Sequence, residues 1–237
     1  GHMGVTAENV AAEHGITREA QDAFAAESQA RAARAIEAGH FRDQIVPVEI
    51  ASRRGTQVFD TDEHPKPTTA EGLAGLRPAF QKDGTVTAGN ASGINDGAAA
   101  LVLARAGAAE TAGLAPRARI LGYAHAGVRP EVMGVGPIPA VEALLARTGL
   151  SVGDFDVIES NEAFAAQALA VNAGLGLDPA KVNSNGGAIA LGHPVGATGA
   201  ILAVKALYEL ERTGGSKALV TMCIGGGQGI ALALEAL

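Results

Sequence analysis

The chain has little sulfur, few aromatic residues and no excess of positive charge. Cys223 is its only cysteine, tryptophan is absent, and aromatic residues make up 3% of 237 residues. One cysteine cannot form an internal disulfide, which fits a reducing compartment. Few aromatics leave a core of small aliphatic side chains. Its 18 lysines and arginines against 25 acidic residues leave a net charge of −7, which argues against a nucleic-acid partner.

Long apolar runs are also missing from the sequence. No segment is long enough to span a bilayer, and none resembles a secretory signal peptide. We therefore predict a cytoplasmic location and no membrane partner. Glycine, in contrast, is plentiful, and its 32 residues indicate many tight turns. The length suits one large domain or two small ones.

His193 lies in a glycine-rich run from residue 183 to 199, with glycines at 186, 187, 192, 196 and 199. Glycine permits close approach of the backbone to a ligand, and Pro194 restricts the backbone of the histidine. A helix predicted from about Ala197 to Leu210 would point its free N–H groups toward this loop. Because histidine exchanges protons near neutral pH, the run is a candidate catalytic loop.

Two more polar residues lie at predicted strand ends. Asn161 follows a strand and stands near the N-cap of a predicted helix, and Cys223 ends a strand that leads into a glycine turn. Such junctions are where α/β folds place their chemistry. A cysteine can act as a base toward an α-carbon, and the N–H groups of Gly225–Gly227 can bind an oxyanion.

The chain divides into three zones by pattern. Residues from Thr6 to about Gly39 are predicted to be helical, with Thr6 and Thr17 as N-caps and Gly39 as the stop. The next zone, 44–93, is irregular, with a candidate strand at Ile45–Ile50. Strands and helices then alternate, which predicts a layered α/β fold. The predicted elements are Ala98–Ala104, Ala106–Ala112, Arg119–His125, Pro137–Thr148, Val157–Glu159, Glu162–Leu175, Ala200–Glu211, Ala218–Met222 and Ile230–Glu235.

Several motifs, taken together, resemble those of the thiolase family. Three are similar to its C-terminal active-site motifs: Asn161-Glu-Ala-Phe-Ala165, Gly192-His-Pro194 and Cys223-Ile-Gly-Gly-Gly-Gln-Gly229. Others resemble its coenzyme A-contacting loop and two further segments: Asn90–Gly97, His2-Met-Gly4 and Val132–Pro137. The likeness runs in the family's order from about residue 2 to the end.

The resemblance implies a thiolase-like layered α/β fold and a division of the chain. Residues 1–93 would be part of a loop domain that covers coenzyme A. Residues 94–117 would be the last strand and helix of the N-terminal thiolase domain, and 118–237 the C-terminal domain. Thiolases form an acyl-enzyme on a cysteine in their N-terminal half, whereas no cysteine precedes Cys223 here. We therefore expect a C-terminal portion, inactive alone, with the nucleophile in a missing N-terminal part. Gly1–Met3 fits either a cloning scar or native sequence.

The resemblance also implies roles for individual residues. Cys223 would be the general acid/base at the α-carbon. His193 would activate the absent nucleophile and donate to an oxyanion hole in which Asn161 holds a water, and the Gly225 N–H would serve a second hole. The substrate and coenzyme A contacts would be Ser92, Ala88, Phe80, Phe164, Met133, His2 and Met3.

The implied function is acyl transfer: thiolytic cleavage of short-chain 3-oxoacyl-CoA, or the reverse Claisen condensation. Acyl-CoA and coenzyme A would be substrates, no metal or redox cofactor is implied, and the complete protein would be a homotetramer or homodimer. Two alternatives stay open. One is a non-catalytic fragment that binds acyl-CoA or a partner. The other is a hydrolase using Cys223, His193 and Asn161, although their chain order and the lack of a helix start after Cys223 count against it.

Overall fold

A mixed four-stranded sheet forms the centre of the C-terminal part. The computed structural model describes all residues, 1–237. The strand order is β3-β6-β5-β4, with β4 parallel to β5 and the other two pairs antiparallel. The strands are β3 (Ala118–Gly127), β4 (Val157–Ser160), β5 (Lys217–Ile224) and β6 (Gln228–Ala236).

Helices cover both faces of this sheet. On one face, Leu144 of helix α5 packs with Leu219 of β5 in the largest apolar cluster. On the other face, Leu210 of helix α8 packs with Ala218 and Val220. Alternate β5 residues thus face opposite helices, as expected of a strand buried on both sides. The predicted layered α/β fold is confirmed. The C-terminal helices are α5 (Pro137–Thr148), α6 (Ala165–Leu175), α7 (Ala188–Leu191) and α8 (Thr198–Thr213).

The N-terminal part consists of helices and one hairpin. Helix α1 packs against α6, and helix α2 packs against α3, α6 and α7. Its elements are α1 (Met3–Glu13), α2 (Arg18–Glu37), the hairpin β1 (Val48–Ser52) and β2 (Gly55–Phe59), α3 (Ala70–Ala74) and α4 (Ala106–Thr111). No helix combines the length and apolar character needed to cross a membrane.

The predicted strand Ala98–Ala104 is wrong. These residues are exposed and form no strand pairing, and Val102 is 92% exposed. A strand exists only through hydrogen bonds to a neighbouring strand, and no strand of this chain lies beside them. The hairpin is also shifted from the predicted Ile45–Ile50, since β1 covers Val48–Ser52.

Of the two N-caps predicted in the N-terminal part, one is wrong and one is confirmed. Helix α1 begins at Met3, because the His2 ring Nδ1 accepts a hydrogen bond from the Gly4 N–H at 3.0 Å. Thr6 therefore lies inside the helix. Thr17 caps α2 as predicted, accepting from the Ala20 N–H at 3.2 Å.

Asn161 is not a helix cap. Helix α6 begins at Ala165, three residues after the predicted start at Glu162, and Phe164 occupies its N-cap position. The Asn161 N–H instead donates to the Thr221 carbonyl of β5 at 3.0 Å, which continues the sheet ladder past β4. Its side chain is therefore free of the capping role.

Candidate active site

Asn161 and His193 meet at the carboxyl end of β4. Asn161 is 1% exposed, and its Nδ2 lies 3.3 Å from the His193 Nε2. The sheet places Asn161 and the glycine-rich run places His193, so their contact joins two motifs that are 32 residues apart in the chain.

The histidine loop is held by close backbone packing. Gly192 has a φ of +96°, which favours glycine, and a Cβ there would lie 2.6 Å from the Asn95 Oδ1. The same Asn95 oxygen accepts a hydrogen bond from the His193 N–H at 3.1 Å. Burial lowers the pKa of His193, which favours the neutral ring at neutral pH.

Cys223 is buried on the strand beside Asn161. It lies two residues beyond Thr221, the residue that pairs with Ser160 of β4. Its sulfur is in an apolar cluster with Met133 and Ala163. Burial raises the pKa of the Cys223 thiol to about 11, so the free site holds a proton on sulfur at neutral pH.

The glycine turn after Cys223 approaches the N-terminus of α1. Gly226 and Gly227 have φ angles of +91° and +94°, a conformation that favours glycine. The Met3 sulfur lies 3.9 Å from the position a Cβ would take on Gly225. Helix α1 therefore helps to enclose the predicted oxyanion-binding turn.

Aromatic candidates form a continuous wall leading to the cysteine. The His2 and Phe80 ring centroids are 4.9 Å apart, and Phe80 meets Phe164 edge to face at 6.0 Å. Phe164 also packs against the cluster of Met133 and Cys223. Residues predicted separately from distant motifs thus line one surface.

The remaining two candidates differ in their placement. The Ser92 N–H donates to the Ala163 carbonyl at 3.0 Å, which brings Ser92 beside this wall. Ala88 is exposed on a turn in which the Thr87 N–H donates to the Asn90 Oδ1 at 2.8 Å. The roles of all these residues remain predictions.

Two family profiles cover nearly the whole chain. The profile described as "Thiolase, N-terminal domain" matches residues 1–107, and "Thiolase, C-terminal domain" matches residues 114–236. The chain belongs to the thiolase family. The predicted resemblance is therefore confirmed, while the proposed three-part division of the chain stays a prediction.

Individual thiolases match this chain over 60% of their own length. Beta-ketothiolase BktB of Cupriavidus necator is 61% identical over 99% of this chain and 60% of its own. Acetyl-CoA acetyltransferase of Escherichia coli is 59% identical over 100% of this chain and 60% of its own. The chain thus spans about three fifths of these relatives.

Solved thiolase structures share the fold closely. The Bacillus anthracis acetyl-CoA acetyltransferase superposes with a TM-score of 0.97 at 54% identity, over 99% of this chain and 60% of that one. Human mitochondrial 3-ketoacyl-CoA thiolase gives 0.93 at 45% identity, with the same coverage.

Glu162 is a buried carboxyl beside the thiolase site that sequence reasoning left without a role. It accepts hydrogen bonds from the Ser28 hydroxyl at 2.6 Å, the Asn183 amide at 2.8 Å and the Ile189 N–H at 3.3 Å. Burial raises its pKa, against the effect of the Ser28 and Asn183 bonds. A Cβ on Gly187 would overlap its carboxyl. The glycine of the motif was the sequence signal for this close approach.

A buried ion pair anchors the same thiolase loop from the other side. The Lys205 ammonium lies 2.7 Å from a Glu159 carboxylate oxygen and 2.7 Å from the Gly186 carbonyl. Burial raises the pKa of Glu159, and the charge of Lys205 opposes this. Lys205 of helix α8 and Glu159 of strand β4 therefore fix the position of the loop at Gly186, seven residues before His193.

A cleft of about 380 Å³ lies on the outer side of the histidine loop. Pro194 and Asn95 line it, and Cys223, His193 and Asn161 do not. No group of three or more histidine, cysteine or acidic side chains is arranged to hold a metal. The candidate site lies instead where Asn161 meets His193, at the end of β4.

Proposed function

We propose that this chain carries the acid/base part of a thiolase active site. The complete enzyme would cleave short-chain 3-oxoacyl-CoA with coenzyme A, or catalyse the reverse Claisen condensation. The observation that carries this proposal is the contact of Asn161 with His193, at the point where the Asn161 N–H joins β5 two residues before the buried Cys223. Family membership supports the reaction class.

In thiolysis, Cys223 would protonate the leaving acetyl-CoA unit. When the carbon–carbon bond breaks, its electron pair passes to the α-carbon and is stabilised as an enolate. The Cys223 proton then moves to that carbon and leaves a thiolate, which would take the proton of the incoming coenzyme A thiol as that thiol attacks the acyl group. The raised pKa of Cys223, about 11, keeps this proton on sulfur at neutral pH until the strongly basic carbon forms. In condensation the same sulfur would remove the proton.

The oxyanion donors would lie around this sulfur. Asn161, through a held water, and His193, once its Nε2 has taken the proton of the acyl-accepting thiol, would bind the thioester oxygen on which enolate charge develops. The Gly225 N–H would bind the second oxyanion, formed when a thiol attacks a carbonyl. Preorganised donors of this kind typically contribute a factor of about a hundred to a thousand each.

His193, in its neutral form, would also accept the proton of the acyl-accepting thiol. The family resemblance assigns that thiol to a second cysteine. The 237 residues contain only one cysteine, Cys223. A thiol with a pKa of about 11 is almost entirely protonated at neutral pH, so Cys223 is a poor nucleophile. The His193 ring nitrogens also pair with Asn161 and Thr198 rather than with Cys223, and this arrangement disfavours a Cys-His-Asn hydrolase. It supports an acyl acceptor outside these residues.

We further propose that coenzyme A thioesters are the substrates and that the reaction uses no metal or redox cofactor. The wall of His2, Phe80 and Phe164 would contact the pantetheine and acyl groups. The complete protein would act in the cytoplasm as a homotetramer or homodimer, which sedimentation analysis would test.

Thiolysis of acetoacetyl-CoA tests the proposal. We expect no turnover by the 237-residue chain and coenzyme A-dependent turnover when the gene product includes its upstream region. The variant His193→Ala in the longer protein provides the control for background reaction. Coenzyme A-independent hydrolysis by the short chain would favour the hydrolase. Binding of acetoacetyl-CoA without turnover by the longer protein would favour the non-catalytic alternative.

A further inference from the structure

His193 belongs to a chain of hydrogen bonds that sequence reasoning did not identify. Asn161 Nδ2 lies 3.3 Å from the ring Nε2, and the ring Nδ1 lies 2.7 Å from the Thr198 Oγ1. The Thr198 hydroxyl in turn lies 2.9 Å from the Pro194 carbonyl oxygen. Both ring nitrogens therefore have polar partners in the protein.

The chemistry of the partners gives each bond a direction. The amide nitrogen of Asn161 can only donate, so Nε2 must accept. A neutral imidazole with an accepting Nε2 carries its proton on Nδ1, and the Thr198 oxygen accepts that proton. The Thr198 hydroxyl then donates to the carbonyl of Pro194. In this arrangement both ring nitrogens and the Thr198 hydroxyl are paired, whereas the buried Asn161 Oδ1 has no partner.

Thr198 is held firmly in this position. It is the first residue of α8 and is 3% exposed. Its N–H also donates to the Pro194 carbonyl, at 2.9 Å. A β-branched side chain has few χ1 rotamers, so its oxygen is confined. Further along α8, the bond from Lys205 to the Gly186 carbonyl holds the helix against the loop.

We propose that Thr198 is a positioning residue that fixes His193 in the tautomer protonated at Nδ1. The unprotonated Nε2 then faces Asn161 and the reacting atoms. The inference deepens the proposed function and rests on it only for the catalytic consequence. A base that must accept a thiol proton at Nε2 needs that nitrogen unprotonated, and Thr198 selects this form.

Nitrogen-15 NMR of the histidine rings in the 237-residue protein tests the tautomer directly. The His193→Gln variant identifies the resonances of His193 among the six histidines. We expect a protonated Nδ1 and an unprotonated Nε2 in the unmodified protein. In Thr198→Val, which replaces the hydroxyl with a methyl group, the tautomer ratio should move at least roughly tenfold toward Nε2–H, because Nδ1–H loses its buried acceptor.

Two further variants separate this role from packing. Thr198→Ser keeps the hydroxyl and should retain the tautomer. Thr148→Val removes an equivalent bond, from a threonine hydroxyl to the Leu144 carbonyl at 2.8 Å in α5, and should leave the His193 resonances unchanged. A protonated Nε2 in the unmodified protein would overturn the inference even if Thr198→Val did not fold. An unchanged ratio in a folded Thr198→Val protein would also overturn it, as would an equal change in Thr148→Val.

Activity provides a separate measurement. In the longer protein we expect Thr198→Val to lower kcat roughly tenfold with little change in KM, and Thr198→Ser to restore it. If the NMR result holds while the longer protein lacks thiolysis, the proposed function fails and the assignment of the tautomer stands. If thiolysis is present but the ring is protonated at Nε2, the tautomer assignment alone fails.

Discussion

Removal of the Glu162 carboxyl should destabilise the protein far more than its replacement by an amide. In Glu162→Ala, three buried donors lose their acceptor: the Ser28 hydroxyl, the Asn183 amide and the Ile189 N–H. An unsatisfied buried donor costs about 1–3 kcal/mol, and water entering the new cavity offsets part of the sum. We expect a loss of about 3–5 kcal/mol in the free energy of unfolding.

Glu162→Gln keeps the volume and one acceptor oxygen. The new NH₂ can donate to Ser28, whose hydroxyl oxygen already accepts from the Gly187 N–H at 3.1 Å and has a second lone pair. The Ile189 N–H at 3.3 Å then loses its acceptor, and the Ser28 proton, which also pointed to Oε2, must turn to another acceptor. We therefore expect a cost of about 1 kcal/mol.

Urea unfolding followed by circular dichroism measures this difference, since the chain has no tryptophan for fluorescence. Glu142 is exposed on α5, and its substitutions by Ala and Gln are matched controls that should change stability by less than about 0.5 kcal/mol. Equal losses for Glu162→Ala and Glu162→Gln would refute the reasoning, because they would show that the three hydrogen bonds contribute little.

The raised pKa of Glu162 also predicts how the difference in stability between the unmodified protein and Glu162→Gln depends on pH. A carboxyl whose pKa is raised by folding stabilises the folded state fully below its ordinary value of 4.5. That contribution is lost as pH rises through the raised value. The stability of the unmodified protein relative to Glu162→Gln should therefore fall as pH increases above about 4.5.

Three other outcomes are expected. Gly187→Ala should lower the free energy of unfolding in urea by about 1–3 kcal/mol, because the new Cβ would overlap the Glu162 carboxyl. The φ of Gly187, −119°, suits alanine, so the loss would come from this overlap. Full stability would show that the loop can shift. The pKa of Cys223 rises from 9.0 to about 11 on folding. The stability of the unmodified protein relative to Cys223→Ala should therefore fall by about 2–3 kcal/mol as pH rises from 9 to 11. A stability difference that does not change with pH would contradict the burial effect. In the longer protein, Cys223→Ser should suppress α-proton exchange but allow some acyl-enzyme formation, whereas His193→Ala should impair both. Radiolabelled acetyl transfer measures acyl-enzyme formation. Its loss in Cys223→Ser and retention in His193→Ala would reverse the two roles.

Local sequence patterns predicted most of the regular structure in the C-terminal part. Helix α5 was predicted with its observed bounds, since Pro137 starts it and Gly149 follows its last residue, Thr148. The predicted N-cap at Asn161 failed because a hydrogen bond to β5 keeps its backbone in the sheet. The predicted strand at Ala98–Ala104 failed because strand pairing depends on a neighbour that local pattern does not reveal.

Residue type, order and spacing are enough to predict the family, the layered α/β class and the three motifs that hold Asn161, His193 and Cys223. Which atoms meet depends instead on how the folded segments pack. This packing brought Asn161 to the His193 ring, raised the pKa of Cys223 by burial, and gave Thr198 and Glu162 their hydrogen-bond partners. Hydrogen-bond direction and desolvation arise from packing between distant segments, so no local pattern contains them.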